Sequence, residues 1–266
     1  MSRTAFREML GALAIEPGQH LLIHSSFKAL KKAFPNLIAA DFIKILQEKV
    51  SSEGSLLMPV FTYCFRRTSG DYERFSRDHS PSKTGWLTEY FRRQPDALRT
   101  ASPTHSFALW GKVGLEYDSK IIPHSPLGKD SPLDWLAQKE KSAILMLGTD
   151  FHSLSFGHYL EIIHQAPWAD LNPWTYMGVE KIGADESADI PLKEIPGCSQ
   201  SFINFEKYIQ KHIKLAEFIC NDQRFRKVTI PELLHYGEYY FRLHTNELLC
   251  PAGNCQACDT RRNKLK

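Results

Sequence analysis

Residues 143–161, AILMLGTDFHSLSFGHYLE, pass from an unbroken apolar run through a polar loop into a helical pattern. The apolar run, Ala143 to Leu147, has the length of a buried strand, and open α/β sheets build binding sites in the loop between such a strand and the next helix. On the helix, His158 and Glu161 stand three apart and share a face, so the carboxylate is placed to orient the imidazole and stabilise its charged form. That pairing describes a general base. The plain alternative is a helix that shows a His and a Glu to solvent, and spacing alone leaves both open. His164 extends the spacing, but there is no His-Glu-x-x-His pattern, so no metal is expected at this helix.

Outward from this segment the same alternation repeats. Phe6, Leu10 and Leu13 are spaced for a helix, Pro17-Gly18 punctuates, and His20 to His24 reads as a strand. Asp41 to Val50 is again helical, and Ser55 to Tyr63 follows a Glu53-Gly54 turn as a second apolar run. Gly85 to Arg93 reads as a helix and His105 to Trp110 as a strand, while Ser131-Pro132 has the cap and early proline of a helix start. Arg66 to Ser80 is polar throughout and is expected to be a long surface loop. Glu180 to Pro196 alternates as an edge strand or hairpin would, Ser201 to Cys220 and Pro231 to Leu248 look helical, and the tail from Pro251 is expected to fray. Strands alternating with helices define an α/β protein.

Composition narrows the class further. With 266 residues, 42% of them apolar and 24% charged, the chain is globular, and 33 Lys+Arg against 30 Asp+Glu give a net charge of +3, too small to imply nucleic-acid binding. No apolar stretch is long enough to span a membrane, and the opening MSRTAFREMLGALAIE mixes charges where a signal peptide has an apolar core, so a cytoplasmic location is expected. Six cysteines in a chain of this length are expected to be reduced thiols.

Three further clusters are candidates for binding. His24-Ser25-Ser26-Phe27-Lys28 follows a strand directly, where hydroxyls and loop N–H groups can receive a carbonyl or phosphate, although Ser25 or Ser26 equally suits a helix cap. Ser102 to Phe107 and Pro126 to Pro132 are polar clusters entering regular elements.

Taken in order, these segments resemble the aminoglycoside 3-N-acetyltransferase family. His24 to Phe27 is similar to its His-Ser/Ala-Ser-Leu pattern, Gly128 to Pro132 to its Gly-x-x-Ser-Pro step, and Ser155-Phe156-Gly157-His158-Tyr159-Leu160-Glu161 to its Ser/Thr-x-x-His-x-x-Glu helix. Ser102-Pro103 stands where the family often has His-Pro, and Phe27 where Leu is usual. The resemblance runs from Gly18 to about Cys250 and implies a central mixed β-sheet flanked by helices. It also implies an acetyl-CoA-dependent N-acetyltransferase domain over 1–250, a Cys-containing basic tail over 251–266, and no required metal. His158 is then the base and Glu161 its partner, while Ser25, Ser26, Phe27, Ser106, Phe107, Leu127, Ser131 and Ser155 line the CoA side.

The chemistry of acetyl transfer accounts for these types. An ammonium group cannot attack a thioester until a base within hydrogen-bond reach removes its proton, and the developing oxyanion needs fixed donors such as loop N–H groups or the Ser155 hydroxyl. Cys64, the thiol closest to these motifs, lies between aromatics and is expected to be inert. The loop arginines Arg66, Arg67, Arg74 and Arg77 outnumber Asp71 and Glu73, which points to an anionic acceptor, an amino sugar of a surface-glycan or nucleotide-sugar pathway, rather than a polycationic aminoglycoside antibiotic. A competing class is a zinc- or nucleic-acid-binding protein built on Cys250, Cys255 and Cys258, with His244 or Cys220 as fourth ligand and the basic run Arg261 to Lys266 behind it.

Overall fold

A computed structural model describes residues 3–71, 73–169, 171, 179–182 and 197–265. In chain order the first half runs α1 (Arg3–Ala12), β1 (His20–Ser25), α2 (Phe27–Ala33), α3 (Ala39–Val50), β2 (Ser55–Pro59), β3 (Phe65–Arg67), α4 (Trp86–Arg92), β4 (Leu98–Arg99), β5 (Phe107–Gly111) and α5 (Val113–Glu116). The second half runs α6 (Pro132–Ala137), β6 (Ser142–Leu147), α7 (Ser155–Ile163), β7 (Val179–Ile182), α8 (Phe202–His212), β8 (Ala216–Cys220), β9 (Gln223–Thr229), α9 (Ile230–Leu243) and α10 (Gln256–Lys264). Among these residues a seven-stranded sheet has the order β4-β5-β2-β1-β6-β9-β8, and β3 pairs with β7 in a separate ribbon.

The sheet is mixed because its centre and its flanks are built differently. β1 pairs parallel with both β2 and β6, whereas β5, β4, β9 and β8 join antiparallel. Parallel strands need covered faces, and the period-two side-chain alternation supplies two cores. Leu21 and Ile23 of β1 and Leu145 of β6 face a layer holding Phe6, Leu10, Phe42 and Phe91, while Leu22, Ile144 and Met146 face one holding Phe156, Phe202, Phe205 and Phe241. Side-chain caps fix where the covering helices start. Ser26 accepts from Ala29 N–H, Ser131 from Asp134 N–H, and Thr229 with Glu232 forms a capping box ahead of Pro231.

Three sequence expectations change. Residues 201–220 are not one helix: the helical spacing of Phe202, Phe205 and Ile209 stops at α8, and Ala216–Cys220 is an edge strand. Asn221 and Asp222 both take positive φ, at 48° and 60°, which makes the tight hairpin turn that sends β8 back along β9. The stretch expected as a loop from Arg66 begins inside β3. Of the expected edge strand or hairpin over Glu180 to Pro196, β7 covers the start, and 183–196 lie outside the described residues.

The third change concerns the tail, which does not fray. α10 presents Ala257, Cys258 and Arg261 inward and joins the core that contains α7 and α9. Its basic composition misleads because only one face of the helix meets solvent. Neither nominated fourth partner for its cysteines is nearby in bonding terms: His244 bonds Glu247 at 2.8 Å and stacks on Tyr240, and the Cys220 sulfur reaches the Ala33 carbonyl. Cys198 stands with Cys250, Cys255 and Cys258 instead.

Where β6 ends, the chain makes a close crossing. Gly148 takes φ +71°, and a Cβ there would lie 2.3 Å from the Ala29 Cβ of α2. Backbone strain and steric overlap act together, so Gly148→Ala is expected to cost about 2–4 kcal/mol. A urea midpoint unchanged from the parent protein would show that α2 yields at this contact.

Candidate active site

The parallel strands β1, β2 and β6 all point their C-terminal ends toward one cleft of about 740 Å³. The chain leaves β1 toward β2 on one side and returns to β6 on the other, and this change of direction opens the crevice. Ile23, His24 and Ser25 come from β1, Pro59 and Phe61 from the end of β2, and Ser153, Ser155 and His158 from the segment after β6. Tyr63, Phe65, His105, Leu127 and the 197–200 loop complete much of the wall.

His158 and Glu161 meet as their spacing implies. His158 Nδ1 lies 2.7 Å from Glu161 Oε2, His158 is 8% exposed, and Glu161 is 0% exposed, so the solvent-facing alternative does not apply. Glu161 is further held by the Trp168 indole N–H at 3.0 Å and by Arg261, whose Nη1 lies 3.3 Å away. A carboxylate so surrounded accepts Nδ1–H, which leaves Nε2 of His158 as the lone-pair nitrogen on the cleft side. Gly157 gives this helix its close seat, since a Cβ there would fall 2.4 Å from the Phe202 ring.

Ser155 begins α7, with its hydroxyl 3.4 Å from His24 Nε2 across the end of β1. Burial drives the His24 pKa down to about 3 because nothing nearby compensates the desolvated cation. His24 is therefore a neutral imidazole beside the cleft.

The remaining candidate residues divide. Ser25 and Leu127 line the cleft with Ser155 and His158. Ser26 and Phe27 do not: the Ser26 hydroxyl caps α2, and Phe27 packs edge-on to Phe42. Ser106, Phe107 and Ser131, expected on the CoA side, are fully buried and are not among the residues that line the cleft. The Ser106 hydroxyl is spent on the Val60 carbonyl, Phe107 is a β5 core residue, and Ser131 caps α6. A polar cluster entering an element has two uses, capping and binding, and at these positions the backbone takes it. Cys64 is buried, and desolvation holds its thiol above its ordinary pKa, in keeping with an inert thiol.

Sequence reasoning placed His24 and His105 inside candidate clusters without giving either a role, and it missed Thr84 and Thr88 as lining residues. His24 carried a signal, since it ends a buried strand next to Ser25. Thr84, in the loop before α4, and Thr88, within α4, carried none.

The charge balance expected for the acceptor also changes. Arg74 and Arg77 are absent from the lining, where the charged groups are Arg67 and Lys83 against Asp71 and Glu73. Counting arginines along the loop overstated the bias because only one side of the loop faces the cleft.

The sequence profile of the family described as aminoglycoside 3-N-acetyltransferase matches residues 22–242. The chain belongs to that family. Among curated proteins it is similar to the SPbeta prophage-derived aminoglycoside N(3')-acetyltransferase-like protein YokD of Bacillus subtilis (strain 168), 28% identical over 60% of this chain and 64% of that protein. It is also similar to aminoglycoside N(3)-acetyltransferase IV of Salmonella sp, 26% identical over 60% of each. The chain thus spans less than two thirds of the length of these curated relatives. The fold matches that of apo AAC(3)-IVa over 98% of this chain and 97% of that one, with a TM-score of 0.82 at 20% identity. AAC-IIIb with CoASH bound has a TM-score of 0.73 at 18% identity over 92% and 97% of the two chains. These relatives overturn the expectation of a surface-glycan or nucleotide-sugar pathway and favour its alternative, an aminoglycoside acceptor.

His24 makes stability depend on pH with a definite sign. Its folded pKa of about 3 lies below the ordinary value of 6.5, so the unfolded chain binds the extra proton between those pH values. Stability is untouched by His24 above pH 6.5 and is lost as pH falls toward 3, at a limiting rate of about 1.4 kcal/mol per pH unit. In urea titrations His24→Asn should flatten this acid limb, and an identical pH slope in both proteins would refute the role given to burial.

Proposed function

We propose that the protein transfers the acetyl group of acetyl-CoA to an amine of an aminoglycoside. The single observation that carries this reading is the His158–Glu161 pair on the wall of the cleft, with Nδ1 committed to the carboxylate at 2.7 Å. In support, AAC-IIIb is a neighbour with CoASH bound, and a mutant of AAC(3)-IVa is one with a gentamicin bound. A cleft of about 740 Å³ accords with the size of small-molecule sites. Asp71 and Glu73 on its wall offer carboxylates to a cationic acceptor, with Glu73 also paired to Lys83.

In this mechanism an acceptor ammonium loses its proton to Nε2 of His158, and Glu161 stabilises the imidazolium that forms. The freed amine nitrogen adds to the thioester carbonyl carbon. As the tetrahedral centre collapses the C–S bond breaks, the nitrogen gives up its second proton to the departing CoA sulfur, which leaves as free thiol while the amide forms, and the proton held by His158 returns to solvent. The Ser155 hydroxyl, on the cleft wall beside the neutral His24, is the side chain assigned to meet the transient oxyanion.

Thiol release from acetyl-CoA with gentamicin or kanamycin as acceptor tests the reaction, and its absence with every aminoglycoside tried would overturn the acceptor class. Replacing the base, His158→Asn, is expected to lower kcat by ~10²–10⁴-fold while calorimetric CoA affinity holds. Turnover at the parent rate would remove His158 from the mechanism. Glu161→Gln keeps the shape and should lose less activity, whereas Glu161→Ala strands the buried Arg261 and should cost about 3–5 kcal/mol of stability.

A further inference from the structure

We propose that Cys198, Cys250, Cys255 and Cys258 form a tetrathiolate zinc site that pins α10 in place and holds Arg261 against Glu161. The four sulfurs all lie within 4.8 Å of one another, and Cys198 and Cys250 are 3.6 Å apart. A tetrahedron of Zn–S bonds near 2.3 Å has edges of about 3.8 Å, whereas a disulfide would bring two sulfurs to about 2.05 Å. The observed spacing is that of four corners around a common centre rather than two bonded pairs.

The surroundings are built for thiolates. Cys198 and Cys258 are buried, and Cys250 and Cys255 are half-buried. Cys255 is the residue before α10, and Cys258 lies in its first turn, a Cys-x-x-Cys placement that structural zinc sites use. Four thiolates around a divalent ion leave an excess of negative charge, and two arginines of the same helix flank it. Arg261 donates to the Cys198 carbonyl at 3.2 Å, and Arg262 donates to the Cys250 carbonyl. With all four positions filled by protein sulfur the site is closed, so its role is structural rather than catalytic.

The consequence reaches the cleft. Cys198 belongs both to the cluster and to the cleft wall, and Arg261, three residues beyond Cys258, reaches the Glu161 carboxylate and lies over the Trp168 ring at 5.4 Å. The metal therefore fixes the helix whose guanidinium steadies the partner of His158.

The test uses the full chain purified under reducing conditions. Native mass spectrometry should find one zinc per chain, and cobalt titrated into chelator-treated protein should give thiolate charge-transfer and tetrahedral bands at one equivalent, bleached by zinc. Cys255→Ser, at a half-buried position, should abolish the cobalt bands, while Cys64→Ser and Cys220→Ser retain them. Hydrogen exchange in 256–264 should be slow with zinc and speed up by at least tenfold after chelation. Failure of the unsubstituted protein to bind either metal, a Cys198–Cys250 disulfide in the protein as isolated, or equal exchange with and without zinc would each overturn the proposal.

Discussion

A carboxylate removed from water must find its neutralising partners in the protein, and at Glu161 those partners come from three separate parts of the chain. His158 lies on the same helix, Trp168 just beyond its end, and Arg261 on α10. Burying such a group alone would cost several kcal/mol, so the packing of α7 against its neighbours is inseparable from the satisfaction of this one side chain. In the proposed mechanism the same charge arrangement serves the chemistry. A fixed anion behind an imidazole sets which nitrogen carries the hydrogen and stabilises the cation formed when the base accepts a proton.

The sheet places this group where a ligand can use it. Three parallel strands converge at β1, and the loop after β6 turns sharply through Gly148 to deliver α7 at the mouth of the cleft. The antiparallel flanks do not reach the site by themselves. Through α8 and α9 they cover the second face of the sheet and supply Phe202, whose ring lies 5.0 Å from the His158 ring and leaves room for no side chain at Gly157.

Local periodicity made the central strands, α1, α3, α4, α6, α7 and α9 legible, because each carries its own apolar spacing and its own cap or breaker. The His158–Glu161 pair was legible for the same reason, being a contact within one turn. Contacts between distant segments left no local trace. Nothing near Ser106 distinguishes a hydroxyl that faces a ligand from one that holds the backbone, Ser131-Pro132 carried a cap signal and a binding-cluster signal together, and nothing near Arg261 announces that a residue in a basic tail is fully buried. The edge hairpin is an intermediate case: Asn221-Asp222 is a turn signal, but the apolar count across 201–220 masked it.

Glu161 and Arg261 are separated by a hundred positions in sequence. Synthesis at about 5–20 residues per second delivers the guanidinium roughly 5–20 s after the carboxylate. Throughout that interval α7 has its histidine and its tryptophan but lacks the cation that completes its burial, so the nascent domain is held short of its final packing. α7 is complete well before α10 exists, and its final locking is timed by the far end of the fold.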